Sequence, residues 1–116
     1  MSEFLMLFRS GQGNPANRTT EQMQAQMQRW GQWIGGIAEK GKMIASQPLN
    51  PGGKTISGTQ LVVTDGPFME GKEMVGGYMI CRADSIEEAL ELCKGCPILE
   101  LEDGTLELRE IHKMEM

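Results

Sequence analysis

Residues 3–9 (EFLMLFR) carry apolar side chains on both faces of an extended chain, the pattern of a central strand covered on each side. A loop rich in Gly, Asn and Pro follows, SGQGNPANR. Thr19 and Gln22 then form a capping box, which predicts a helix over residues 20–40 with Gly41 as its stop. Met23, Met27, Trp30, Ile34 and Ile37 recur at helical spacing and mark the expected core stripe. Trp33 falls off that stripe, so it is expected as a dimer contact or a pocket wall. KMIASQPL (42–49) and KTISGTQLVVTD (54–65) flank N-P-G-G and predict a hairpin with an irregular second arm. VGGYMICR (75–82) reads as a further strand, with Gly76 and Gly77 marking a bulge or a close backbone approach. Asp84 or Ser85 should cap a second helix whose buried stripe is Ile86, Ala89, Leu90 and Cys93, ended by Gly95 and Pro97. LELREI (106–111) alternates, so this last strand should show one face to water.

The order strand, helix, hairpin, strand, helix, strand is that of the ferredoxin-like split β-α-β. It predicts an α+β domain spanning 1–116, with two helices on one face of an antiparallel sheet. Helices on one face leave the other uncovered. The simplest cover is a second copy of the chain, so a homodimer is expected.

Composition narrows the classes of partner. The chain has 116 residues, a net charge of −5 and no basic run, so it gains no counterion release on a phosphate backbone and nucleic acid is not an expected partner. No apolar run is long enough to span a bilayer, and the apolar start is too short and wrongly flanked for a signal peptide. Three cysteines, an odd number, argue for reduced thiols and a cytoplasmic protein. The ten methionines suit a soft core, or a permissive pocket.

The chemistry concentrates in TDGPFMEGKEMVGGY (64–78). Asp65 ends a strand and its carboxylate can start a turn; Gly66 accepts dihedrals closed to other residues, and Pro67 fixes its own φ. The rigid turn that results should aim Asp65 and Phe68 in fixed directions. This forms either a pocket wall with one carboxylate or a well-made turn plugged by Phe68. Asp65, Phe68 and Glu73 are expected to border one concave pocket, with Tyr78 or Arg109 opposite.

These residues also carry a resemblance. D-G-P-F-x-E-x-K-E-x-x-G-G plus an aromatic (Asp65, Gly66, Pro67, Phe68, Glu70, Lys72, Glu73, Gly76, Gly77, Tyr78) resembles the signature of the YCII-related family, in the subgroup named for D-G-P-F. Ala45 and Leu49, S-x-x-E-A-L at Ser85–Leu90, Cys96-Pro97 and E-L-R-E-I at 107–111 extend the similarity. The resemblance implies a dimeric α+β barrel with a site around Asp65. Some relatives act in the breakdown of chlorinated aromatics, and the wider superfamily includes lactone isomerases. Other relatives pair a histidine with the acid. Here the first strand ends in Phe8-Arg9 and the only histidine, His112, follows the last strand.

Three functions stay open on sequence. Asp65 is the acid/base of a small isomerase or lyase, with Arg9 or Arg109 holding the carboxylate of a compact organic acid. Or the motif shapes the pocket of a non-catalytic binding or regulatory dimer. Or it only locks the barrel together. Glu70, Lys72 and Glu73 are either pocket residues or a solvated charge cluster. Cys93-Lys-Gly-Cys96 has redox spacing, but a helix carboxyl end raises a thiol pKa, and Cys81 with one distant histidine makes a poor zinc site. No metal or cofactor is expected.

Overall fold

The computed structural model describes residues 1–10, 19–50, 52–68 and 74–114. Its elements are β1 (Ser2–Ser10), α1 (Thr20–Glu39), β2 (Met43–Pro48), β3 (Lys54–Ser57), β4 (Val62–Asp65), β5 (Met74–Ala83), α2 (Ile86–Cys93) and β6 (Thr105–Glu110), with a 3₁₀ turn at Pro97–Glu100. Four strands form one antiparallel sheet in the order β2-β5-β1-β6, and β3 and β4 form a separate two-stranded ribbon. Without that ribbon the order of elements is the ferredoxin-like one.

The sequence expectation differs from the structure at the hairpin. Residues 43–48 pair with β5 and not with 54–65; the hairpin is β3–β4, closed by the turn Gly58–Leu61. Strand character alone does not name a strand's partner, and β5 offers β2 a longer, better-covered edge than four residues of β3 could. The ribbon therefore leaves the sheet at its β2–β5 edge as an arm.

Caps read from the sequence form as expected. Thr19 Oγ1 accepts from the Gln22 amide and Gln22 Oε1 accepts from the Thr19 amide, each at 3.0 Å. At α2 the cap is Ser85, whose Oγ accepts from the Glu88 amide at 3.1 Å.

One face of the sheet holds the core. Phe4, Met6 and Phe8 from β1 and Met79, Cys81 and Ala83 from β5 are buried beneath Ile37, Ala89, Cys93, Cys96 and Ile98. Each large apolar side chain so buried contributes about 1.5–3 kcal/mol. Trp30 and Trp33 pack edge-on against Phe8 and each other, with ring centroids 5.1–5.8 Å apart, and Trp33 Nε1 donates to the Leu92 carbonyl at 2.9 Å. Trp33 thus joins α1 to α2, and it also lines an open hollow between them, in line with the pocket-wall expectation. The expected stripes shift accordingly. Met27 is 73% exposed and Met23 also faces water, because the first turns of α1 lie beyond the packed core. On α2 the packed residues are Ala89, Leu92 and Cys93, while Ile86 and Leu90 are exposed.

Two glycines fix the register near the arm. Gly76 is skipped where Phe8 pairs with Gly77 and Arg9 with Val75, so it is the bulged residue. A Cβ on Gly77 would sit 3.1 Å from the Gln47 carbonyl oxygen, so here the glycine permits a close backbone approach.

Candidate functional site

Among the described residues no helix lies on the second face of the sheet. Alternation places Leu5, Leu7 and Arg9 of β1 there, opposite the buried Phe4, Met6 and Phe8. Pairing then builds two rows across all four strands. The first runs Gln47, Tyr78, Leu7, Glu107, and the second Ala45, Ile80, Leu5, Arg109. Leu5, Leu7, Tyr78 and Ile80 are half-buried, an apolar floor with charges along its β6 side.

Those charges converge. Arg9 Nη2 donates to Glu107 Oε1 at 3.2 Å, and Arg109 Nε stands 4.0 Å from Glu107 Oε2. Both sequence-selected arginines therefore flank one internal carboxylate, next to Leu7 and Tyr78. Arg9 is largely enclosed, whereas the Arg109 side chain is 70% exposed. Sequence reasoning missed Glu107 and Gln47. Glu107 could have been found from the two-residue step between it and Arg109, which puts acid and base on one side of a strand.

Asp65 and Phe68 belong to the arm. Asp65 ends β4 directly across from Lys54, whose ammonium it pairs with; its side chain is 89% exposed. The carboxylate is thus engaged by a lysine and not by the backbone of its own turn. The turn holds by other means: Gly66 takes φ +93°, its amide donates to the Gly53 carbonyl at 2.7 Å, and Thr55 Oγ1 donates to the Gly66 carbonyl at 2.9 Å. Phe68 is 72% exposed, so it plugs nothing within its own chain. Glu73, with Glu70 and Lys72, lies outside the described residues.

His112 and Asp65 sit at opposite ends of the sheet. The Ile111 amide donates to the Glu3 carbonyl at 2.9 Å, which holds His112 near the start of β1; the arm departs near Gly76, beside the end of β1. Nine residues of strand separate these ends by about 30 Å. One open hollow, of about 320 Å³, lies at the His112 end between Met1, Glu3 and Lys113. A second lies between the helices beside Trp33 and Leu92. Neither is lined by Asp65, Phe68, Tyr78 or Arg109.

The thiols are buried and free. Burial pushes Cys93 up to about 11 and Cys96 up to about 12, and raises Cys81 as well. The direction matches the sequence expectation, but desolvation is the leading cause in place of the helix end. Among the described residues no three His, Cys, Asp or Glu side chains come together as a metal site would require. Among them, too, no helix is long and apolar enough to cross a membrane.

Compared with known families, residues 4–115 match the YCII-related domain. No curated protein matches the chain.

Proposed function

The chain belongs to the YCII-related family, and on that premise we propose that it is a homodimer binding a compact organic acid over the helix-free face of its sheet. The observation that carries this reading is Arg109 beside the apolar floor. Glu107 already accepts a 3.2 Å bond from Arg9 and is reached by Arg109 only at 4.0 Å. The exposed guanidinium of Arg109 keeps its planar donor fork for an incoming carboxylate. Leu5, Leu7, Tyr78 and Ile80 supply apolar contact for the remainder of a small acid.

Binding is favoured over isomerase or lyase turnover by the surroundings of Asp65. A general acid/base is held in a site that shuts out water, whereas Asp65 in the single chain is engaged by Lys54 and stands in water, away from its own subunit's floor. The D-G-P-F turn therefore supports a wall of the site in this reading. Thickness supports the dimer. The protein is 19 Å across its shortest axis, the depth of one helix layer and one sheet, which leaves a half-apolar face open.

Light scattering should give twice the chain mass of 12.8 kDa. A panel of small mono- and dicarboxylates, followed by thermal shift and calorimetry, should yield at least one acid that raises the melting temperature. Arg109→Gln should weaken that acid about tenfold or more, as loss of a charge-assisted pair does. A panel without any response, or a response that Arg109→Gln leaves intact, rules the reading out.

A further inference from the structure

We propose that the β3–β4 arm of each subunit lies across the open sheet face of its partner, so that each binding site is completed by Asp65 and Phe68 of the partner subunit. This rests on the dimer reading above.

The arm is built to be covered. Ile56 and Val63 face each other across the ribbon and are 64% and 57% exposed, and Leu61, Val62 and Phe68 are exposed too. The strands are four residues each and pack chiefly on one another. A two-stranded ribbon of that size is marginal in water by itself. Leu61 adds an independent sign. It holds φ +55° at the turn, where Gly or Asn would sit without strain, yet a large apolar side chain is kept there and shown to solvent.

The other uncovered apolar surface described above is the floor, and the two fit in size and charge. Four residues of strand reach about 13 Å, enough to cross the two gaps, roughly 5 Å each, from β5 over β1 to β6. Along the face of the ribbon that bears Ile56 and Val63, Lys54 and Asp65 follow as the next pair. Along the floor, Leu7 and Leu5 are followed on β6 by Glu107 and Arg109. Apolar pair against apolar floor sets the partner's Asp65 toward one edge of the Arg109 guanidinium and the partner's Lys54 toward Glu107, which leaves another edge of that guanidinium for the bound acid. A two-fold axis makes each of these contacts twice. The exposed Lys54–Asp65 pair contributes little to the single chain, so exchanging it across subunits sacrifices little. The chain's net charge of −5 speaks against nucleic acid as the occupant.

The test uses Val63→Cys on the arm and Ile80→Cys on the floor. Subunits of the two variants are mixed, allowed to exchange, and treated with a short bismaleimide; the buried native thiols make wild type the blank. A covalent dimer should form in the mixture far beyond either variant alone. The chain carrying both substitutions should crosslink between subunits. A dimer by light scattering that yields no such crosslink, or only crosslinks within one chain, overturns the arm exchange and leaves the dimer standing. A monomer by light scattering overturns both. As a second measurement, Asp65→Arg should weaken the dimer about tenfold, and adding Arg109→Asp should restore it. An Asp65→Arg dimer as tight as wild type also overturns the exchange, and points to a different occupant for the arm.

Discussion

The body and the arm are made from similar residues and put them to opposite use. In β1 and β5, apolar side chains alternate into a layer closed by Trp30, Trp33 and Ile37, where Met6, Met79 and Cys81 have no exposure at all. In β3 and β4, Ile56, Val62 and Val63 are equally β-branched and equally good strand formers, but each is more than half exposed. The strands β1 and β5 are held by neighbours on both edges and by helices above; the arm's are held by each other and by the turn at Gly66. β-propensity makes a strand, and burial makes it stable. Here the two come apart within one chain.

Breaking the body should produce the largest effect. A Cβ on Gly104 would lie 1.9 Å from the Ile98 carbonyl oxygen and 3.0 Å from its carbonyl carbon, a clash with backbone that no rotamer relieves. Gly104→Ala should cost about 3 kcal/mol or more, seen as a large drop in the urea midpoint.

Alkaline pH should come next, and again it acts on the body. Cys93 and Cys96 have folded-state values of about 11 and about 12 against an ordinary 9.0. Above pH 9 the unfolded chain releases these protons while the folded chain keeps them. The stability is therefore fully present below pH 9 and is lost as pH rises through the folded values. Denaturation midpoints should fall steadily from pH 9 to 11, and Cys96→Ala should flatten that fall. For the same reason alkylation of either thiol in the native protein at neutral pH should be slow.

The smallest effect sharpens the contrast by falling on the arm alone. Gly66 at φ +93° should cost about 1 kcal/mol as Gly66→Ala. Hydrogen exchange should show the amides of Lys54–Asp65 losing protection while those of β1 and β5 keep theirs.

What the sequence allowed to be read was what is decided locally. The Thr19–Gln22 capping box and the Ser85 cap depend on residues three apart, and both are in place. The bulge at Gly76 and the close approach at Gly77 were also legible, since a missing Cβ announces them. The partner of residues 43–48 was not, because an apolar strand pairs wherever the longest covered edge lies. Met23 and Met27 were misplaced for a related reason: periodicity gives a helix its apolar face, but the neighbours decide where along the helix that face is used. In the site, Arg9 and Arg109 were picked for lying near the ends of adjacent strands, and each reaches the same carboxylate. What joins them is Glu107, a residue that stands out only once β6 has been laid against β1.

The bulge at Gly76 and the bond from the Leu49 amide to the Gly76 carbonyl place the arm's root between two strands that are already neighbours. The β2–β5 ladder starts at that root, with Pro48 against Gly77, and runs to Met43 against Cys81 with one irregularity at Ile44. Residues can be gained, lost or replaced in the arm without asking the core to repack. Descent can thus lengthen, shorten or rewrite the tip of the ribbon around Gly58–Leu61 while its foundation is inherited unchanged.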